Sequence, residues 1–357
     1  MFAKNLKPSL TFLVILYISV ISPTRSSAFS DVKNVDHILE TLLKGDYYVS
    51  YQAEEVVIFF SNSEPKIERY KVGRLKPHKV RREKYNLDGT LEEVVVNDED
   101  LQIISYPKRK MAIKTPLSKS KKATDSKKEL IGLIKNNYDV KYVNNDEVSG
   151  RKALVISIEP KEIGTRPAFS VWFDSETGLI MKTETFDTHG RLSYLSSLRN
   201  IVINPSFPHD YFDIMVPSGT VAYELSGTVV KIYSPDKVKK HGDFIERLSG
   251  GYVLKEVMED DNGQLQLLYH DGLNSVSVFS EQWSNERSRM PGNAESGAGQ
   301  LLEKVKINGF EGFFCRRGPE NIMSFVSDNH RLTVVGEVSK QGLVNISIDL
   351  KKRKVRR

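Results

Sequence analysis

ALVISIEPKEIGTRPAFSVWFDSETGLIMKTETF, residues 153–186, holds three short runs rich in β-branched and aromatic residues: Ala153 to Glu159, Ala168 to Phe173 and Leu179 to Phe186. Runs of this length and composition, bounded by Gly, Pro and acidic residues, predict strands. The last two are joined by Asp174-Ser175-Glu176-Thr177-Gly178. A connection that short returns the chain antiparallel, because a parallel neighbour needs a crossover of a dozen residues or more. A second turn, Asp187 to Gly190, leads into another strand from Tyr194 through Ile203. The centre of the chain therefore predicts an antiparallel meander.

Toward the amino end the pattern continues. Tyr47 to Phe60 predicts a strand, and Val80 to Tyr85 and Leu91 to Val96 flank the turn Asp88-Gly89 as a hairpin. Gln102 to Ser105 and Lys110 to Ile113 predict further strands. Two segments have helical spacing instead. In Asp31 to Lys44, Val32, Val35, Ile38, Leu39, Leu42 and Leu43 fall on one face, and Gly45 supplies a stop. Ser126-Lys127-Lys128-Glu129 has capping-box spacing, followed by Leu130, Ile131, Leu133 and Ile134, with an end by Asn136-Asn137-Tyr138. Two helices on an antiparallel meander predict an α+β domain with a strongly curved sheet.

Toward the carboxyl end, residues 204–219 contain Pro205, Pro208 and Pro217 and read as a closing segment. A second all-strand pattern starts near Asp243. Tyr252 to Met258 and Gln264 to Tyr269 flank Asn262-Gly263, a strong hairpin signal. Ser275 to Ser280, Lys304 to Ile307, Gly312 to Arg316, Asn321 to Ser327 and Arg331 to Val338 follow, with a loop at Met290 to Gln300. Gly342 to Leu350 reads as a strand or a short terminal helix, and its β-branched residues favour the strand. A chain of 357 residues is long enough for the two domains this implies.

The leader and the charge distribution bear on location. Residues 1–28 carry Lys4, Lys7 and Arg25 with no acid, an apolar run from Leu10 to Ile21, and the small residues Ser26, Ser27 and Ala28. These are the three parts of a cleavable signal peptide. Twelve residues span only about 18 Å as a helix, against about 30 Å of hydrocarbon, so cleavage after Ala28 is expected over anchoring. The formal net charge of the whole chain is +6. That positive balance is local: six of the last seven residues, Lys351 to Arg357, are basic, and Lys108 to Lys128 holds nine basic residues against Asp125. The remaining body is acidic. Both islands read first as a solvated loop and a free end; if they act, an exported chain rarely meets nucleic acid, so an anionic membrane surface, a lipopolysaccharide-like polymer or an acidic partner is the functional alternative. The single cysteine, Cys315, cannot form an internal disulfide and reads as a small core residue.

The search for chemistry returns little. The seven histidines show no i, i+4 pair and no His-Glu-x-x-His. There is no phosphate-binding glycine loop and no Gly-x-Ser-x-Gly elbow. The acidic stretches 97–100 and 259–263 are read as solvated turns, since Met258 stands where a calcium loop needs its first acid. His270 and Asp271 are neighbours on a strand and point to opposite faces. No cofactor and no metal are expected.

Two sets of motifs carry a resemblance. Asn137-Tyr138, Val148-Ser149-Gly150-Arg151-Lys152-Ala153, Val171-Trp172-Phe173-Asp174, Thr177-Gly178-Leu179 and Phe212-Asp213-Ile214-Met215-Val216-Pro217 resemble the periplasmic lipoprotein-carrier fold. Leu268-Tyr269-His270-Asp271-Gly272-Leu273, Ser275-Val276-Ser277-Val278-Phe279 and Leu332-Thr333-Val334-Val335-Gly336-Glu337-Val338 resemble the carboxy-terminal domain of the MucB/RseB family of sigma-E regulators. The resemblance implies a large half-open antiparallel β-barrel with covering helices, followed by a smaller antiparallel sheet domain. Its division is a signal peptide at 1–28, a lipid-sensing domain at 29–222, a linker at 223–242, a MucB/RseB-like domain at 243–350 and a basic tail at 351–357. It implies a periplasmic non-enzyme that binds the periplasmic part of a transmembrane anti-sigma factor and answers to lipid or lipoprotein signals in an apolar cavity. A lipid or lipoprotein carrier is the alternative. Trp172, Met181 and Phe186 are the candidate cavity-lining residues, with plain core as the alternative, and Asp271, Gly272, Leu273, Val276 and Val278 the candidate partner surface, with a hairpin turn and a buried strand as the alternative.

Overall fold

The structure, a computed structural model, describes residues 35–44, 49–60, 64–98, 101–116, 127–213, 221–224, 231–233, 245–260, 263–283, 302–317 and 319–352. The expected signal peptide, the capping box at Ser126, the 290–300 loop, most of the linker and residues 353–357 of the tail lie outside them.

Helix α1 (Val35–Lys44) precedes six strands: β1 (Tyr51–Phe59), β2 (Lys66–Leu75), β3 (Lys79–Tyr85), β4 (Leu91–Asn97), β5 (Leu101–Tyr106) and β6 (Met111–Pro116). Helix α2 (Lys127–Asn137) follows, then β7 (Tyr138–Val148), β8 (Arg151–Pro160), β9 (Ala168–Asp174), β10 (Ile180–Phe186), β11 (Leu192–Ile203) and the short β12 (Val221–Glu224). These strands form one sheet in the order β12-β6-β5-β4-β3-β2-β1-β11-β10-β9-β8-β7. All its pairs are antiparallel except β12 on β6. The central meander is as expected from 153–186. Asp174 Oδ1 accepts from the amides of Glu176 (2.9 Å) and Thr177 (2.8 Å), and Gly178 takes a φ of 74°, which closes the β9–β10 turn.

The second sheet holds β13 (Lys231–Tyr233), β14 (Arg247–Leu248), β15 (Tyr252–Glu259), β16 (Leu265–His270), β17 (Ser275–Gln282), β18 (Glu303–Ile307), β19 (Phe310–Arg317), β20 (Glu320–Ser327) and β21 (His330–Gly336). Its order is β13-β15-β16-β17-β21-β20-β19-β18, with β14 beside β15. Helix α3 (Lys340–Lys351) packs on β20. Within the stretch expected as linker, β12 ends on the first sheet and β13 pairs with the second.

One expectation is corrected. Gly342 to Leu350 is helix, not strand. Leu343, Ile346 and Leu350 are buried at a spacing of three and four, which only a helix places on one face. Ser339 Oγ accepts from Gly342 N (3.1 Å) and caps the start. Tertiary burial overrides the strand preference of Val344, Ile346 and Ile348. Strands β2 and β7 were not anticipated, because their charged and amide residues dilute the alternation. On β7, Tyr138, Val140 and Val148 are buried and 141–147 are exposed, as befits an edge strand. Its register slips between Tyr142 and Asn144, so Val143 stands as a bulge.

The apolar interior falls into three clusters. Ile38, Leu39 and Leu43 of α1 and Leu130 and Ile134 of α2 press on Tyr138, Val140, Ile156, Ile158, Val171 and Phe173. A second cluster joins Tyr51, Ala53, Val57 and Val72 with Val155, Trp172, Leu179, Met181 and Leu198. The third fills the second sheet, from Leu248 and Tyr252 through Val276 and Val278 to Met323, Phe325, Leu343 and Ile346. Cys315 is half-buried.

Candidate functional site: the joint between the sheets

The turn from β16 into β17, Asp271-Gly272-Leu273-Asn274, enters the first domain. Asp271 Oδ1 accepts from the amides of Leu273 (3.0 Å) and Asn274 (2.7 Å), which shapes the turn. That leaves Oδ2 free to face the other sheet. Arg166 Nη1 donates to it at 2.7 Å and Tyr138 Oη at 2.8 Å. The ion pair is dry: the side chains are 3% exposed for Arg166 and 0% for Asp271. Asn137 Nδ2 donates to the Asp271 carbonyl (2.8 Å), and Asn274 Nδ2 to Tyr138 Oη (3.1 Å). Arg166 Nη2 donates to the Gly250 carbonyl at 2.6 Å. Its guanidinium lies 5.5 Å from the Tyr138 ring and 5.4 Å from the Tyr252 ring. A buried charge needs such a full set of partners, since desolvation otherwise exceeds the Coulombic gain.

Burial, then the Asp271 charge, pushes the Tyr138 and Tyr252 phenols well up, so both stay protonated. Tyr252 Oη is buried without a partner at hydrogen-bond geometry. Beside it a cleft of about 30 Å³ opens between the sheets, lined by Thr165, Arg166, Ser249, Tyr252, Gly342 and Asn345. That is room for a water, not for an acyl chain. Close approach explains Gly272: its φ is 111°, and a Cβ there would stand 2.8 Å from the Ile134 backbone nitrogen. Leu273 packs against the cluster under the helices. Ser339 N donates to Thr165 O (2.9 Å), and Arg316 reaches Asp187 at 3.9 Å, so α3 and β19 brace the joint as well.

A second polar constellation lies on the first sheet. Arg82 pairs with Glu55 (2.9 Å) and stacks 3.5 Å over the Tyr70 ring. Ser196 Oγ donates to Glu55 (2.7 Å). Tyr70 Oη donates to Glu68, which also holds Lys66 (2.8 Å) and Lys84 (3.0 Å). Burial alone would raise the Glu68 pKa, but hydrogen bonds from Lys66, Tyr70 and Lys84 outweigh it and hold it at about 2. Cross-strand partners share a face. The opposed pairs Ile156–Val171, Val171–Thr183, Thr183–Ser196, Ser196–Val57 and Val57–Glu68 therefore put this ladder on the same face as the layer under the helices. That face is apolar at the β8–β9 end and ionic at the β1–β3 end.

The expected site residues fall as follows. Trp172 and Met181 are buried together, while Val171 and Phe173 on either side of Trp172 face the helices. Alternation along β9 turns Trp172 away from the helix-covered layer. Its Nε1 donates to Asp146 (2.8 Å), and Lys182 Nζ sits 4.0 Å from its ring. Phe186 is half-buried at the end of β10. Val276 and Val278 are fully buried in the core of the second sheet. Asp271, Gly272 and Leu273 are engaged by the chain itself. In this arrangement those five residues build the joint and its core, so they do not form an open face. Arg166 escaped the sequence reading; an arginine before Pro167 in a turn-rich loop carries no signal that it is buried.

Residues 38–210 match the sequence profile of the MucB/RseB N-terminal domain. No curated protein matches the sequence. Among solved structures, the chain is similar to MucB in complex with MucA(peri), at 19% identity and a TM-score of 0.54, over 88% of this chain and 97% of that one. It is similar to MucB of the Pseudomonas aeruginosa MucA/MucB complex at 20% identity and a TM-score of 0.53, over 87% and 96%. At that identity the likeness speaks for the fold, and it spans both sheets. Residues 38–210, just under half of the chain, are thus similar in sequence to the MucB/RseB N-terminal domain, and the fold of both sheets is similar to that of MucB.

Proposed function

We propose that the protein is a periplasmic negative regulator of an envelope-stress sigma factor, and that it binds the periplasmic part of a transmembrane anti-sigma factor. The observation that carries this reading is the likeness across both sheets to a protein solved with MucA(peri). The leader at residues 1–28 agrees with export. The signal it answers to is an amphiphile: a lipid, a lipoprotein or a lipopolysaccharide-like molecule. What supports this is the divided face of the first sheet. Ile156, Ile158, Val171 and Phe173 under α1 and α2 suit acyl chains, and Arg82, Lys84 and Lys66 beyond them suit a charged head. Entry requires the helices to lift, because the layer beneath them is filled. The same division favours a lipid or lipoprotein carrier as the second reading.

Calorimetric titration tests the partner. The periplasmic segment of a transmembrane anti-sigma factor from the same cell should bind the purified protein with a negative heat-capacity change, the mark of buried apolar surface. An absence of binding at protein concentrations of tens of micromolar, together with acyl ligand in mass spectra of the purified protein, would replace the regulator by the carrier.

A further inference from the structure

The β3–β4 and β5–β6 turns, separated in the strand order from the β7–β9 strands that hold the joint, carry a feature outside the joint and the ladder. The β3–β4 turn places Leu87 at its tip, 79% exposed. The neighbouring β5–β6 turn is Pro107-Lys108-Arg109-Lys110, and its three basic residues are exposed. The two turns are fastened together: Lys108 Nζ donates to Thr90 Oγ1 at 2.8 Å. On the other side, Val221 N donates to Lys110 O at 2.9 Å, and the Val221 residue is 55% exposed. Leu87, Lys108, Arg109, Lys110 and Val221 thus form a continuous strip, cationic in the middle and apolar at both ends. The acids nearby are engaged. Asp88 turns its carboxylate back onto Thr90 N (2.9 Å) and Oγ1 (2.6 Å), and Glu92 pairs with Lys84 (3.3 Å).

We infer that this rim docks the protein on a bilayer containing anionic lipid. An acidic protein would match the charges but would leave two protruding aliphatic tips without a role. A bilayer accepts both, with headgroup phosphates against Lys108, Arg109 and Lys110 and the tips dipping into the boundary beneath. The contact is shallow and reversible, since three charges and two side chains fall short of a stable anchor.

The test is vesicle flotation of the purified protein with phosphatidylcholine vesicles and with vesicles carrying about one third phosphatidylglycerol, at low and high salt. The wild type should float with the anionic vesicles at low salt and be released by salt. Each basic residue at an anionic surface is worth roughly five-fold in partitioning, so R109A/K110A should bind about 25-fold more weakly. L87S should weaken binding several-fold while leaving the salt dependence intact. All three substitutions fall at exposed turn positions and leave both cores untouched. Equal flotation of R109A/K110A and wild type, flotation independent of phosphatidylglycerol, or no flotation of the wild type overturns the inference.

Discussion

The molecule holds two charge networks built from the same side-chain types, and they do different work. At the joint, one arginine and one aspartate are sealed between two sheets and two tyrosines. On the first sheet, Glu55, Arg82, Glu68, Lys66 and Lys84 share their charges along a ladder whose members keep partial access to water. A sealed pair concentrates the consequence of losing one member, because the other is left charged and dry. A ladder spreads it, because each ion has several partners and solvent as a reserve. Specific geometry between domains thus depends on the first network, and the tolerance of one sheet face to ligands or pH depends on the second.

The largest break in this contrast is Asp271→Ala. It strands Arg166 and removes the acceptor of Tyr138, so it should cost about 3–5 kcal/mol in denaturant unfolding. Loss of coupling between the two sheets would show as a second transition. A cost below about 1 kcal/mol would place the joint among ordinary surface pairs. Gly272→Ala attacks the same turn without touching a charge. A Cβ at a φ of 111°, 2.8 Å from the Ile134 nitrogen, should cost about 2–3 kcal/mol by strain and displacement. If the joint is a close-fitting contact, this variant should also loosen α2, seen as faster amide exchange at Leu133 and Ile134.

The ladder is best probed with acid. Glu68 is held at about 2 in the folded protein, below the ordinary 4.5. Its contribution is therefore present in full above about pH 4.5 and is lost as pH falls toward 2, roughly 2 kcal/mol at most after screening. Glu68→Gln should flatten that part of the stability–pH curve relative to wild type. An unchanged acid limb in the variant would remove Glu68 from the ladder's account.

What the sequence disclosed follows from where water reaches. The meander from Ala153 to Phe186 was legible because its strands are bound by turns with strong local chemistry, such as Asp174 to Gly178. The two-sheet plan followed from the same kind of signals, Asp88-Gly89 and Asn262-Gly263. Strand β2 was not legible, since Lys66-Ile67-Glu68-Arg69-Tyr70-Lys71 buries a glutamate and a tyrosine that pair with each other, and polarity alone assigns both to solvent. Helix α3 was hidden by its β-branched residues, although Ser339 and the spacing of Leu343, Ile346 and Leu350 carried the contrary signal. Of the site, Asp271, Gly272 and Leu273 could be picked out from sequence, but not what they touch. Their partners Arg166 and Tyr138 lie 105 and 133 residues away, and no local rule connects them.

The bulge at Val143 has a bearing on how the protein behaves at high concentration. An eleven-residue outer strand with Tyr142 and Val143 exposed would otherwise offer a template on which a second copy could add its own strand, and then a third. The slipped register between Tyr142 and Asn144 breaks the run of regularly spaced donors and acceptors halfway along, and Asp139, Lys141, Asp146 and Glu147 flank the break with charge. One inserted residue thereby guards the protein against growth into fibrils, a hazard that a folding chain meets before its helices and second sheet are in place.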